Sequence, residues 1–503
     1  MSSVPYSGNA GWYAVCFFPK PAAYSQIVKD TLLKILLLAM PDAANNFHRI
    51  IKVPNLGLCS IAAHLTNHEV KVVDLVLVHK NIRSWLKGLL AEFRPELIGI
   101  SSMSFQYKSA LEVISICRAS TPEAYIALGG YHASLAWPEL TGGGEAPFDY
   151  LIRGEGEQAL PALVEVLEGK RECADVPGLS WRRSNVFIHN PPGELLDVRL
   201  LSLPNRNARV LDHFTYFNKK MDCVETSRGC TMPCTFCSIT GMYGSSFRCY
   251  TIDRVIADLK ELQKRGTETV LLVDDNITLD ATRFRKLAEA IVDNGLNCME
   301  YLVQASVAGI VSDPELIPAL ARANFIMVFL GIEAVQTKNL LLFQKGDIRE
   351  KTDEAVNRLR VHNIGVMGGF IIGNPDDSHD DVREVFRAAR RLRIDLPYVQ
   401  CVTPYPGTRI REELLEAGLV TNPDDLSRYT GFICNVRTRT LTNRQLNRLM
   451  NWENIKIFFS PALFKGNYFV RKREKGVLKV LLNNFDFFRG WFLGDQFRSR
   501  HRF

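Results

Sequence analysis

The sequence predicts an α/β protein: a doubly wound parallel sheet, then a partial barrel of about six βα units, then a mainly helical C-terminal segment. Three observations lead there. Short apolar runs alternate with helical stretches from Lys34 to Leu167, the pattern of parallel strands buried on both faces. The alternation resumes after a stretch rich in Pro and charge. Each strand-like run also ends in small or polar residues, where such folds place their binding and reactive groups.

Residues 1–30 show no period and read as an irregular lead. Lys34 to Pro41 is a short apolar run ended by Pro, a buried strand. Leu56 to Leu65 reads as a helix and Glu69 to Val78 as a strand. Ile82 to Phe93 is a helix, Glu96 to Ser101 a strand, Ser109 to Ala119 a helix, and Ala124 to Gly130 a strand. Tyr150 to Gly154 is the last strand and opens into the helix Gln158 to Leu167. These elements make up a first domain over 31–168. Residues 169–215 carry Val176-Pro177-Gly178, Asn190-Pro191-Pro192-Gly193 and Leu203-Pro204, and read as a linker with a small hairpin around Leu179 to Ile188.

The second domain spans 216–425. Its strands are Thr269 to Asn276, Tyr301 to Ser306, Phe325 to Glu333, Gly368 to Pro375 and Tyr398 to Thr408. Helices such as Thr251 to Lys264 and Thr282 to Asn294 lie between them. A cysteine-bearing strand precedes them all. In a barrel of this kind the chemistry sits at the C-terminal strand ends.

That first strand leads into Arg228-Gly229-Cys230-Thr231-Met232-Pro233-Cys234-Thr235-Phe236-Cys237. Three thiols in one short loop suit an iron–sulfur cube with one iron left open, since four cysteines would close it. Structural zinc is the plain alternative, but it takes four ligands, commonly as two separated pairs. Cys223 and Cys249 flank the triplet, so a fourth ligand stays open at this point.

The C-x3-C-x2-C spacing, with Phe236 before the last Cys, resembles the signature of the radical S-adenosylmethionine (SAM) enzymes. The resemblance implies a [4Fe-4S] cluster on Cys230, Cys234 and Cys237, which are both its metal ligands and the catalytic centre. It implies that SAM binds the open iron and is split by one electron into methionine and an adenosyl radical. Asp275, at the end of the second strand, matches a family strand-end motif and is expected to meet substrate or ligand. Gln304 and Ser306 are expected to reach the ribose or carboxylate of SAM. Gly331-Ile332-Glu333 resembles the strand that lies along SAM, and Gly373-Asn374-Pro375 the segment that supports adenine.

Upstream, Ser101-Ser102, Gly129-Gly130-x-His132 and Gly154-Glu155 stand at strand ends of the first domain. With the triplet they resemble the Rossmann-like cobalamin-binding domain of the B12-dependent radical SAM class. Cobalamin is therefore expected at Ser101, Ser102, Gly129, Gly130, His132, Gly154 and Glu155. The Asp-x-His-x-x-Gly motif that supplies a cobalt ligand elsewhere is absent. The class implies two uses of SAM, one to methylate reduced cobalamin and one to make the radical that activates an unreactive carbon.

Composition is globular, with 47% apolar and 23% charged residues. Twelve cysteines and no secretory signal point to a reducing compartment, hence a cytoplasmic location. Charge is uneven: Leu441 to Phe503 holds thirteen Lys or Arg against four Asp or Glu, an excess of nine in a chain whose net charge is +7. Aromatics including Phe458, Phe464, Tyr468, Phe485 and Trp491 interleave with these charges. The segment 426–503 therefore reads either as a helical cap on the barrel or as a peripheral contact with an anionic inner membrane face. No nucleic-acid partner is expected. A flavodoxin or ferredoxin is expected as electron donor. The substrate is expected to be a small molecule or lipid, with C-3 methylation of a hopanoid as the narrow reading. The alternatives are ring closure of the anaerobic porphyrin cyclase type and methylation of an antibiotic or pigment precursor.

Overall fold

The computed structural model describes residues 32–42, 51–78, 81–142, 146–183, 186–458 and 468. The N-terminal lead and most of the basic aromatic tail lie outside the described residues. The first sheet holds β1 (Lys34–Ala39), β2 (Glu69–Asp74), β3 (Leu97–Ser101), β4 (Tyr125–Gly129), β5 (Tyr150–Ile152), β6 (Leu179–Arg183) and β7 (Val186–His189), in the order β2-β1-β3-β4-β5-β6-β7. β1 to β5 are parallel, and β6 and β7 are antiparallel additions. The predicted hairpin thus exists, and it extends the first sheet rather than hanging in a linker.

The strands are apolar without alternation because helices cover both faces. Ile35, Leu37 and Ala39 point to one core, and Leu36, Leu38 and Met40 to the other. The order reverses between β1 and β3, so a crevice opens beyond the carboxyl ends of these strands.

The second sheet runs β8 (Lys219–Val224), β9 (Thr269–Leu272), β10 (Glu300–Ser306), β11 (Phe325–Glu333), β12 (Gly365–Ile372) and β13 (Leu396–Cys401) in sequential parallel order. This is the expected open half-barrel. Its outer edge is extended by Thr215–Tyr216 and then by Ile51–Lys52, a strand given by the N-terminal part of the chain. The helix Asn443–Phe458 places Leu446, Leu449 and Met450 in the barrel core.

Several strands end earlier than their sequence suggests, and three show why. β2 stops at Asp74 because that carboxylate accepts from Val76 N–H at 3.2 Å and Asn55 N–H at 3.0 Å, turning the chain into a short 3₁₀ segment. β9 stops at Leu272, before the polar Asp274-Asp275-Asn276. β13 stops at Cys401, where Thr403 hydroxyl donates back to the Cys401 carbonyl at 2.9 Å and Pro404 follows.

Residues between the sheets stitch them together. Arg206, fully buried, pairs with Asp258 at 2.5 Å and with Asp222 at 3.4 Å. Arg209 donates to Asp222 and Asp212, and its Nε reaches Cys59 Sγ at 3.2 Å. Asp222 lies on β8, while Cys59 belongs to the helix Leu56–Ala62 of the first unit.

Candidate active site

The cysteine loop leaves the end of β8 and is tied down on three sides. Asp274, fully buried, accepts from Thr226 N–H at 2.7 Å, Thr226 hydroxyl at 2.5 Å and Ser227 hydroxyl at 2.6 Å. Asp275 accepts from Gly229 N–H at 2.8 Å. Thr235 hydroxyl donates to the Leu342 carbonyl at 3.0 Å, and Phe236 packs edge-on against Phe343 at 4.9 Å. Gly229 has φ of 90°, and a Cβ there would lie 2.4 Å from the Ser246 carbonyl oxygen. The motif glycine is thus required both by its backbone conformation and by its close approach.

Cys230, Cys234 and Cys237 are half-buried and lie close enough to influence one another's charge. Cys230 Sγ accepts from Asn276 Nδ2 at 3.8 Å. Burial pushes the Cys237 thiol up to about 12 and raises that of Cys234. The metal-free thiols of Cys234 and Cys237 thus hold their protons, and iron must displace them to bind. Among the described residues no three His, Cys, Asp or Glu side chains converge on one metal-ion position. Three cysteine thiolates would hold three corners of a cubic cluster and leave the fourth open. The donor set fits the cluster.

The other expected SAM-side residues fall around this loop with varied roles. Asp275 holds the loop itself rather than standing free, and burial pushes its carboxyl up to about 6. Gln304 donates to the Asp274 carbonyl at 2.6 Å. Ser306 caps the helix Val307–Ser312 by accepting from Gly309 N–H at 3.2 Å, and its hydroxyl meets that of Thr278 at 3.0 Å. Both therefore act first on the scaffold. Gly331 and Glu333 end β11 at a shift of register, with Glu333 at φ of 65°. That twist aims the Glu333 carboxylate at Lys345 Nζ, 3.1 Å away, while Lys345 also donates to the Gly331 carbonyl at 3.2 Å.

Lys345 was not legible in the sequence, where a lone Lys reads as solvated. Burial pushes its ammonium down, but Glu333 and Cys234 beside it prevail and its pKa is raised. Gly373, at φ of 83°, and Asn374 donate backbone N–H to Asp377 at 2.9 and 3.0 Å. The Pro375 carbonyl accepts from Arg439 N–H at 2.8 Å. Asn374 Oδ1 is buried without a partner.

A cavity of about 320 Å³ opens at the carboxyl ends of the first sheet and runs to the barrel wall. Ser101, Gly129, Gly130, Gly154 and Glu155 line it, as do Glu225, Arg228, Met242 and Tyr243 from the barrel side. Gly130 has φ of 92°, and a Cβ there would meet the Ser102 carbonyl at 2.8 Å. A Cβ at Gly154 would project into open space. Bare backbone on several sides suits a large flat ligand, so the residues present fit a corrinoid.

Three expected cobalamin residues do not face this cavity freely. His132 is buried, with Nδ1 3.3 Å from Ser104 hydroxyl and its ring 4.6 Å from that of Tyr107; burial lowers its pKa to about 4. Ser102 is buried behind the wall and is not among the lining residues. Glu155 spends both oxygens on protein: Arg228 at 2.6 Å, Arg248 at 2.8 Å and Leu196 N–H at 2.9 Å. Its partners lie tens of residues away, so no local signal could have assigned it this role.

Two tyrosines also escaped the sequence reading. Tyr131, next to Gly130, and Tyr243, after the cysteine loop, both line the cavity with ring centroids 6.3 Å apart, edge-on. Burial raises the pKa of both phenols.

Comparison with known proteins agrees with this two-part geometry. Residues 51–164 match the B12 binding domain and residues 224–389 the radical SAM superfamily. An uncharacterized methyltransferase of Pyrococcus horikoshii is 26% identical over 456 residues, covering 88% of this chain and 98% of that protein. The hopanoid C-3 methylase of Methylococcus capsulatus is 26% identical, covering 71% and 68%. An anaerobic magnesium-protoporphyrin IX monomethyl ester cyclase of Rubrivivax gelatinosus is 24% identical, covering 78% and 72%. In fold, the chain is similar to the cobalamin-dependent SAM radical enzyme OxsB with aqua-cobalamin and SAM bound (TM-score 0.68, 16% identity, 89% of this chain and 72% of that one). The cofactors are accordingly a [4Fe-4S] cluster, SAM and cobalamin. The three-thiol loop at the mouth of the half-barrel lies in the part that matches the radical SAM superfamily, and the glycine-bearing strand ends that wall the cavity lie in the part that matches the B12 binding domain.

Proposed function

We propose that the protein is a cobalamin-dependent C-methyltransferase acting on an unactivated carbon. The observation that carries this reading is the cavity shared by the two sheets, walled by Gly129, Gly130 and Gly154 on one side and by Met242 and Tyr243, just beyond the cysteine loop, on the other. When bound, SAM on the cluster supplies a hydrogen-abstracting radical and cobalamin supplies a methyl group. Cys230, Cys234 and Cys237 hold the three closed irons. The buried Glu333–Lys345 pair offers one group of each sign beside Cys234, the complement of an amino acid's ammonium and carboxylate. Tyr131 and Tyr243 meet edge-on in the cavity wall and would shield a bound ligand from bulk water on that side.

The relatives supply the reaction class: methyltransferases match over most of this chain. For the acceptor we propose a lipid skeleton, a hopanoid modified at C-3 being the specific case, supported by the name of the Methylococcus relative and by the basic aromatic C-terminal sequence. A peripheral contact of that tail with an anionic membrane face, and electron supply by a flavodoxin or ferredoxin, belong to the same proposal. Among the described residues no helix is long and apolar enough to cross a membrane. A second reading, oxidative ring closure, is favoured by the cyclase relatives.

The test is anaerobic incubation of the reconstituted protein with methyl-deuterated SAM, hydroxocobalamin, a low-potential reductant and a lipid extract from a deletion strain. Label recovered in the hopanoid fraction supports the narrow proposal. Label in another product keeps the methyltransferase and rejects the hopanoid. In a parallel incubation with a porphyrin ester in place of the lipid extract, ring closure without label rejects methyl transfer.

A further inference from the structure

We propose that Arg228 is a positioning residue that couples occupancy of the cavity to the posture of the cysteine loop, so that a corrinoid tightens the binding of SAM. The inference rests on the cofactor assignment above and adds a thermodynamic link between the two sites.

Arg228 stands one residue before Gly229 and two before Cys230. Its guanidinium is nearly buried and gathers three carboxylates. Nη1 donates to Glu155 at 2.6 Å; Nη2 donates to Glu157 at 2.8 Å and Glu225 at 2.8 Å; Nε donates to Glu225 at 3.0 Å. The Tyr250 hydroxyl, itself donating to Glu225 at 2.7 Å, lies 3.3 Å from Nη2. Glu155 and Glu157 belong to the first unit, Glu225 to the second, and all four charged residues line the cavity.

A plain structural brace would explain an ion pair between the two units. That brace already exists elsewhere, in Arg209 with Asp222 of the second unit and Cys59 of the first, and none of these three residues lines the cavity. The Arg228 cluster differs in being part of the wall that a ligand would touch. Gly154, at φ of 82° with open space where a Cβ would stand, presents bare backbone to that ligand.

The route is short. A ligand seated against Gly154 and Gly156 restrains the two carboxylates that flank Gly156, Glu155 and Glu157. Both hold the Arg228 guanidinium, and Arg228 fixes the entry to Gly229 and Cys230. Ordering a segment once lowers the cost of the second binding event, which gives positive cooperativity. Linkage then requires the effect to be mutual. Arg228 is suited to this role because a planar fork can satisfy several carboxylates at once, which a lysine ammonium on a flexible stem does not reproduce.

The experiment is equilibrium dialysis of labelled SAM against the full-length, cluster-reconstituted protein, with and without saturating hydroxocobalamin. In the wild type, hydroxocobalamin is expected to lower the SAM dissociation constant by about five-fold or more. Glu157→Gln, which keeps the side-chain shape, and Arg228→Lys are expected to bring that ratio close to one while iron per chain stays at the wild-type level. Arg209→Met, which cuts the other brace, is expected to lower thermal stability and keep the wild-type ratio. A wild-type ratio of one, or a ratio equal in the wild type and Glu157→Gln, overturns the proposal while leaving the cofactor assignment standing. Absence of SAM binding under both conditions overturns both.

Discussion

Asp275 and Gly229 are joined by a 2.8 Å hydrogen bond from the Gly229 N–H to Asp275 Oδ2. A strand-end carboxylate on the second barrel strand thereby sets the angle at which the neighbouring loop presents its thiols. Gly229 is in a left-handed conformation against Ser246, where a Cβ has no room. Gly229→Ala should therefore cost roughly 1–3 kcal/mol of local strain. Iron per chain after reconstitution should drop well below the wild type, and wild-type iron content would show that the loop tolerates a Cβ.

The Glu333–Lys345 pair should matter more to SAM than to the cluster. Lys345→Met leaves a carboxylate buried beside Cys234 without its cation. Losing one partner of a buried pair costs about 2–5 kcal/mol, so SAM affinity should fall roughly 30-fold or more while iron content holds. Dialysis with labelled SAM checks it; unchanged affinity would remove Lys345 from the binding site.

Removing Arg206 tests the inter-sheet brace. Arg206→Met leaves Asp258 buried and unpaired, at a cost of about 3–5 kcal/mol. The double change with Asp258→Asn should recover part of that loss. Thermal unfolding of the two variants measures it, and no recovery would show that Asp258 is not the stranded group.

Two buried groups in the first unit give pH dependences of opposite sign. Burial pushes Asp74 up to about 6 from 3.8, so the native state holds a proton that the unfolded chain has released. Its contribution to stability therefore falls as pH rises from about 4 to 6 and is flat above. Burial lowers His132 from 6.5 to about 4, so here the unfolded chain holds the extra proton. Its contribution is present above 6.5 and is lost as pH falls toward 4. Each effect is of order 3 kcal/mol, so they largely offset between pH 4 and 6. Asp74→Asn should make stability fall more steeply on acidification, and His132→Gln less steeply. Denaturant midpoints at several pH values check this; equal slopes in both variants would refute it.

Much of the scaffold was legible because local signals and burial agree. The helix Ile82–Phe93 and the strand Phe325–Glu333 carry their own periodicity and end where polar residues begin. The cysteine loop was legible because all three ligands lie within eight residues. What was hidden depends on distant partners. Asp74 ends β2 early only because Asn55 and Val76 present N–H groups to it. Glu155 reads as a cofactor residue until Arg228 and Arg248 arrive from across the chain, and His132 until Ser104 and Tyr107 enclose it. Lys345 and Arg228 look like surface cations in sequence and become buried through carboxylates supplied by other segments.

The most direct measurement is the electron paramagnetic resonance spectrum of the dithionite-reduced, anaerobically reconstituted protein with and without SAM. A cluster held by Cys230, Cys234 and Cys237 with one open iron predicts a changed spectrum when SAM is added, and no cluster signal in a variant with all three changed to Ala. A cluster spectrum that SAM leaves unaltered would mean that the fourth iron is closed, and would contradict the account.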